Sequence, residues 1–271
     1  MQGFVYRRCG DCRSLFLGTP ADDTRLSSVY ASAAYAEQRG HSNDLTVAAC
    51  KSATVAVYLQ RLRRHFPRGS RYLEIGCSAG AGLSAAAALG WEAEGVEVSP
   101  AAAAIAGRLP GVKAVHHGTV LGAPFADASF DVVTLFDVIE HIDPPQPTVQ
   151  RVFDLLAPGG LILLVTPDAD SLSARALGAR WPHLFPDHVI CFTRDALRRV
   201  LVAAGFEVVQ MGFAWKRVNL NILIRHAHLH PNVVGGRMLR SVGALLPSWL
   251  ADRPVPFNVG EFYAIARRTR I

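Results

Sequence analysis

Short apolar runs alternate along this chain with longer segments whose apolar residues recur every three or four positions. Arg71-Tyr-Leu-Glu-Ile-Gly76 predicts a short buried strand, and the alanine-rich stretch from Ala79 to Leu89 predicts a helix ended by Gly90. Glu92 to Glu97 and Val112 to His116 read as two further strands, with a helix from Pro100 to Leu109 between them. Phe130 to Phe136 is a fourth strand, followed by a helix from Pro147 to Leu156. Gly160-Leu-Ile-Leu-Leu-Val-Thr166 is a fifth, too apolar to face water on either side. Thr193 supplies a hydroxyl cap for a helix to Ala204, with Asp195 in its first turn. Gly205 then turns the chain into a strand from Phe206 to Met211, and a last strand spans Gly260 to Ala266. Upstream, Leu45 to Phe66 is helical, with Val47, Cys50, Val55, Tyr58, Leu59 and Leu62 on one stripe.

This alternation predicts an α/β, doubly wound, Rossmann-like fold: a mostly parallel seven-stranded sheet with helices on both faces. Such sheets bind ligands at the carboxyl ends of their strands. The chemistry is therefore expected in the loops after the first, second, fourth and fifth strands. Two stretches break the alternation, 167–192 and 213–258, and both read as lid or acceptor segments. Residues 1–45 have few apolar runs and read as an irregular N-terminal appendage, with 46–271 forming the main domain.

Composition narrows the partners. Half of the chain is hydrophobic and 18% is charged, which supports a sizeable core and excludes general disorder. The net charge of +6 comes almost entirely from arginine, since lysine occurs only at Lys51, Lys113 and Lys216. The arginines are scattered, apart from Arg61-Leu-Arg63-Arg64 and Arg267-Arg268-Thr-Arg270. Nucleic-acid binding is disfavoured, because no dense basic stripe with interleaved aromatics is present. Five unevenly placed cysteines do not make a disulfide framework. No apolar run approaches the ~20 residues of a membrane span. A reducing, cytoplasmic setting is expected.

The first chemical motif is Leu73-Glu-Ile-Gly76-Cys-Ser78-Ala-Gly80-Ala-Gly82, which closes a strand and opens a helix. Residues without Cβ let a ligand approach the backbone, and the helix start adds amide donors. Glu97 follows Gly76 by 21 residues at the end of the next strand, where an acid can bind both hydroxyls of a ribose. Together they predict an adenosine ligand without saying which.

Four spaced motifs carry a more specific resemblance: Leu73-Glu-Ile-Gly-Cys-Ser-Ala-Gly80, Gly95-Val-Glu-Val-Ser-Pro100, Phe130-Asp-Val-Val-Thr-Leu-Phe-Asp-Val-Ile-Glu-His141 and Leu156-Ala-Pro-Gly-Gly-Leu-Ile-Leu-Leu-Val-Thr-Pro167. From about Arg71 to Val209 the chain resembles class I S-adenosylmethionine-dependent methyltransferases, especially the branch with ubiquinone O-methyltransferases and sugar and natural-product methyltransferases. The resemblance implies S-adenosyl-L-methionine as cofactor. It implies that Glu74, Gly76, Cys77, Ser78 and Gly80 line the methionine end and that Glu97 takes the ribose. Val98 would flank the adenine, Thr119 would lie near the adenine amino group, and Phe136 and Asp137 would end a strand over the cofactor. Ser78 departs from the family, which usually has glycine there. For Val98 and Phe136, plain core packing is the competing reading.

Asp137, Glu140 and His141 have two readings. They cap and orient the local loop, or they hold a divalent ion, as a comparable acid-x-x-Glu-His set does in some relatives. The structural reading is favoured and no metal is expected. In Trp181-Pro-His183-Leu-Phe-Pro-Asp187-His188 the resemblance singles out His188, as a base for the acceptor or as a scaffold for the lid. His141 is a second candidate near the reacting atoms. Cys9-Gly-Asp-Cys12 is half of a zinc knuckle, and one thiol pair falls short of the four ligands a structural zinc needs.

The expected activity is methyl transfer to a small molecule, with a hydroxyl oxygen first and nitrogen or carbon behind it. Trp181, Phe185, Phe213 and Trp215 predict apolar pocket walls. Two other classes compete: a nucleic-acid methyltransferase and a non-catalytic adenosine-binding scaffold. Against the first, no Asn/Asp-Pro-Pro-aromatic tetrapeptide follows the fourth strand.

Overall fold

The computed structural model describes residues 5–18, 45–63, 65–66, 69–185, 187–229, 252–258 and 260–269. A hairpin of β1 (Tyr6–Arg8) and β2 (Leu15–Leu17) precedes helix α1 (Leu45–Arg63). Then come β3 (Arg71–Ile75), α2 (Ala81–Ala88), β4 (Glu92–Glu97), α3 (Pro100–Ala106) and β5 (Val112–His117). The second half continues with β6 (Phe130–Phe136), α4 (Gln146–Leu155) and β7 (Leu156–Pro167). Next are α5 (Leu172–Leu177), β8 (Ile190–Cys191), α6 (Arg194–Ala203) and β9 (Phe206–Phe213). Finally come β10 (Lys216–Val218), α7 (Leu220–Leu229), β11 (Val255–Phe257) and β12 (Glu261–Arg268).

The central sheet has seven strands in the order β5-β4-β3-β6-β7-β12-β9. β3 pairs in parallel with both β4 and β6, and β12 runs antiparallel between β7 and β9. The expected fold class is the observed one. The strand order reverses between β3 and β6, so their carboxyl ends frame the crevice where a ligand fits.

The apolar run of β7 shows why the sheet is covered on both sides. Ile162 and Leu164 pack with Val149, Val152, Leu197 and Leu201 from α4 and α6. Leu161, Leu163 and Val165 pack with Tyr58, Leu59, Leu83 and Ala86 from α1 and α2. Each such leucine, fully buried, contributes roughly 1.5–3 kcal/mol. Local chemistry sets the helix starts as predicted: Thr193 Oγ1 accepts from Ala196 N, and Ser99 does the same for Ala102 N. α2 starts two residues later than the expected Ala79, because Ser78 and Gly80 adopt left-handed backbone before it.

One expectation is corrected. Residues 6–17, read as irregular, form the hairpin, and β2 pairs antiparallel with β8, Leu15 opposite Cys191 and Phe16 opposite Ile190. Three-residue strands give too few alternating positions to register in a sequence, and the partner lies far along the chain. Tyr6 Oη bonds the carbonyls of Phe185 and His188, and Thr193 N donates to Ser14 Oγ at 3.1 Å. The hairpin thus forms one wall of segment 167–192, whose Ala169, Ala174, Trp181 and Cys191 make a small core with Tyr6 and Leu15. Cys9 and Cys12 are free thiols in the turn between β1 and β2. Of the second expected lid segment, β10 and β11 pair antiparallel, while residues 230–251 lie outside the described residues. Among the described residues, no helix is long and apolar enough to cross a membrane.

Candidate cofactor and acceptor site

The crevice starts at the turn after β3. Gly76 has φ +70°, and a Cβ there would lie 2.4 Å from Val138 Cγ2. Gly80 has φ +85°, and a Cβ would lie 2.4 Å from Leu109 Cδ1. Both positions therefore demand glycine. Gly82 matters for a different reason: a Cβ would fall 2.3 Å from Glu74 Oε2. Its absence lets the buried Glu74 carboxylate lie against the first turn of α2, where the Leu83 amide donates to it. Ser78 holds φ 52°, a region that costs an L-residue about 1–2 kcal/mol.

Glu97 ends β4 beneath the same turn. Its Oε2 accepts from Ser78 N and its Oε1 from Ser99 N, both at 2.8 Å. Each carboxylate oxygen retains a second lone pair for a ribose hydroxyl. Val98 is 45% exposed, so core packing does not explain it. Thr119 is exposed just beyond β5, next to Gly118, whose N–H donates to Glu97 O. The structure therefore brings Glu74, Gly76, Ser78, Gly80, Glu97, Val98 and Thr119 to one edge of the sheet. Cys77 is corrected: its buried thiol packs against the backbone of Gly95 and against Leu83, in the core. Phe136 is divided, ending β6 at this edge while its ring packs 5.9 Å from that of Tyr58.

Beyond β6 the groups become acidic and imidazole-rich. Asp137 adopts φ 55° and its Oδ2 takes the Lys216 ammonium at 2.7 Å. Lys216 also reaches Glu261 Oε1 at 2.6 Å, and His183 Nε2 stands 3.6 Å from the same oxygen. Burial opposes the charge on Lys216, but Asp137 and Glu261 outweigh it and hold the ammonium protonated far above its ordinary range. Burial, reinforced by Asp137, pushes Glu261 well above the usual carboxylate range against the pull of Lys216. Asp137, expected at the cofactor, is thus tied to Lys216 and, through it, to Glu261. Lys216, Glu261 and His183 were missed, because they come from three distant stretches with no common spacing. The one available signal was the rarity of lysine.

Glu140 is fully buried and accepts from Thr166 Oγ1 at 2.9 Å. Burial, and then Asp137, raises its carboxyl to about 8. The His141 and His188 rings meet edge to face, 4.8 Å apart, and His188 is 2% exposed. His141 Nδ1 lies 2.7 Å from Asp187 O, a pure acceptor, so Nδ1 carries the proton and Nε2 faces the other way. One donor atom each from Glu140, His141 and His188 lie within 4.8 Å of one another, a spacing suited to a divalent ion. Asp137, paired with Lys216, is not in that set.

Glu74 carries a pH signature. Burial raises its carboxyl from 4.5 to about 8, with Lys51 opposing and Glu97 adding to the shift. Between those values the folded chain holds a proton that the unfolded chain has lost. Stability from this group is therefore full below pH 4.5 and falls as pH rises toward about 8. The slope approaches ~1.4 kcal/mol per pH unit. Urea unfolding of the ligand-free chain between pH 5 and 8 is expected to show this decline, shallower in Glu74→Gln. Equal slopes in the two proteins would refute it.

A turn with two positive-φ glycines, a carboxylate ending the next strand and the exposed Val98 beside it define a nucleotide-cofactor enzyme of the Rossmann-like class. Residues 51–211 match a family described as "Methyltransferase domain", and the chain belongs to that family. Its cofactor is S-adenosylmethionine, and the cradle at Gly76, Gly80 and Glu97 fits it. The chain is 35% identical over 153 residues to a Mycolicibacterium smegmatis protein named "Probable S-adenosylmethionine-dependent methyltransferase". That match covers 56% of this chain and 57% of the relative. It is 32% identical over 185 residues to the ubiquinone biosynthesis O-methyltransferase of Ruegeria pomeroyi, covering 61% and 72%. Among solved structures, the Bacillus subtilis YcgJ protein superposes with a TM-score of 0.57 at 17% identity, covering 81% and 99%. A Haemonchus contortus phosphoethanolamine N-methyltransferase bound to S-adenosylhomocysteine gives 0.52 at 19%, covering 80% and 52%. At such identities these likenesses establish the fold alone.

Proposed function

We propose that the chain methylates a hydroxyl oxygen of a small molecule, a sugar, lipid or natural-product intermediate, with His188 taking the hydroxyl's proton. The observation that carries this reading is the meeting of His188 with His141 beside Glu140, just beyond the cofactor cradle. When bound, the cofactor supplies a methyl group on a positively charged sulfur, with a neutral thioether as leaving group. Glu97 holds the ribose of the adenosine end, and the turn at Gly76 and the buried Glu74 line the methionine end. His188 accepts the proton as the acceptor oxygen takes the methyl carbon. His141, fixed through Nδ1 on Asp187 O, orients the imidazole beside it. The capping segment, walled by Trp181 and the N-terminal hairpin, keeps water from the reacting atoms.

The test is methyl-labelled S-adenosylmethionine with the purified chain and a small-molecule extract of its source cells. Label is expected in O-methyl ethers. Label in N- or C-methyl products would move the acceptor atom, and label in nucleic acid would overturn the small-molecule reading. Bound cofactor without turnover would support the scaffold reading instead.

The convergence of Glu140, His141 and His188 favours one second reading. These three residues would hold a divalent ion, Glu140 through Oε1, which has no hydrogen-bond partner among the described residues. A bound ion would supply Lewis-acid polarisation of the acceptor oxygen. On the first reading, exhaustive chelation leaves the rate within about twofold. A rate abolished by chelator and restored by magnesium, manganese or zinc would establish the second, and Glu140→Gln would then weaken the ion's hold.

A further inference from the structure

Three carboxyl-edge elements bring together a polar group that the reaction above does not use. Lys216 lies in β10, Glu261 opens β12, and Asp137 follows β6. An ammonium has three N–H donors, and Lys216 places two of them, on Asp137 Oδ2 at 2.7 Å and Glu261 Oε1 at 2.6 Å. Glu261 is 3% exposed, yet its Oε2 has no hydrogen-bond partner among the described residues. A buried acceptor left that way is destabilising, and a ligand's donor would remove that cost. The cluster is not sealed: the side chains of Lys216 and Asp137 are 27% and 35% exposed. Trp215 and Phe213, both more than half exposed, stand immediately before Lys216 in the chain.

Charge selects the ligand chemistry. Lys216 disfavours a cationic amine, while Glu261 and Asp137 disfavour a phosphate or carboxylate. A neutral hydroxyl satisfies both sides, giving its proton to Glu261 Oε2 and accepting the remaining N–H of Lys216. His183 links this place to the proposed base, with Nε2 3.6 Å from Glu261 Oε1 and its ring stacked 6.5 Å from that of His188. One imidazole thus separates the two polar sites. We propose that Lys216 and Glu261 form the subsite for a second hydroxyl of the acceptor, close to the one methylated, so that the acceptor is a polyol. This rests on the hydroxyl-methylation reading above.

The experiment loads the full chain with S-adenosylhomocysteine and titrates matched probes by ligand-observed NMR. The pairs are cis-1,2-cyclohexanediol with 2-methoxycyclohexanol, catechol with guaiacol, and methyl α-mannopyranoside with its fully methylated form. At least one diol is expected to bind about tenfold tighter than its capped partner. Glu261→Gln and Lys216→Met are expected to erase that preference, with affinity for S-adenosylhomocysteine unchanged within about threefold. The subsite is wrong if no diol is separated from its capped partner, or if the preference survives both substitutions. Should a variant fail to fold, the wild-type comparison still decides. Absence of diol discrimination in the wild-type chain with S-adenosylhomocysteine bound counts against the subsite alone. Failure of the wild-type chain to bind S-adenosylhomocysteine counts against methyl transfer itself.

Discussion

Replacing His188 by alanine is expected to slow methyl transfer by roughly 10²–10⁴-fold, the usual contribution of a positioned general base. That corresponds to about 3–5 kcal/mol of barrier. Cofactor affinity should stay within about threefold, because the imidazole packs with His141 and Glu140, while Glu97 is held by the amides of Ser78 and Ser99. The segment carrying His188 is tied through its backbone: Tyr6 Oη donates to His188 O at 2.8 Å, and Leu17 N to Val189 O at 3.0 Å. Neither contact involves the imidazole, which packs against the rings of His141, His183 and Phe185. Rate, cofactor affinity and thermal midpoint measured on wild type and His188→Ala decide the matter. A fall of less than about tenfold lies below the general-base range and removes His188 from that role. Parallel losses in rate, acceptor affinity and thermal midpoint would make it a scaffold.

Glu97→Ala should weaken cofactor binding by a comparable free energy. Two charge-assisted hydrogen bonds to a ribose are worth about 1.5–3 kcal/mol each at most. The structure adds a second loss. The same carboxylate holds Ser78 N and Ser99 N, so its removal strips both amides of their acceptor and frees the strained Ser78 turn. Glu97→Gln keeps one acceptor oxygen and should fall between wild type and alanine. Calorimetry with S-adenosylhomocysteine measures all three. Equal affinity for wild type and Glu97→Ala would show that the ribose lies elsewhere.

Much of the cofactor half was legible in the sequence because it is local. The glycine turn sits between one strand and the next helix, and Glu97 ends the following strand, so short-range spacing places them together. Cys77 was misread because a motif orders residues without saying which way each side chain points. Its neighbours in space are Gly95 and Leu83. The acceptor half was mostly illegible. Asp137, Glu261, Lys216 and His183 are brought together by the antiparallel insertion of β12 and by the packing of β10, which no local pattern records.

The sequence by itself determined the alternation of strand and helix, hence a parallel sheet buried on both faces, because periodicity and apolar run length are local properties. It also determined the turn after β3, where Gly76 and Gly80 hold positive φ and leave no room for a Cβ. Only the tertiary structure decided that the N-terminal hairpin belongs to the cap, through β2 pairing with β8. Only the tertiary structure placed His188 beside His141 and Glu140, and Lys216 between Asp137 and Glu261. The physical reason is the same in each case. Backbone pairing between distant strands and ion pairs between distant side chains form when the chain closes on itself, and they leave no trace in the spacing along it.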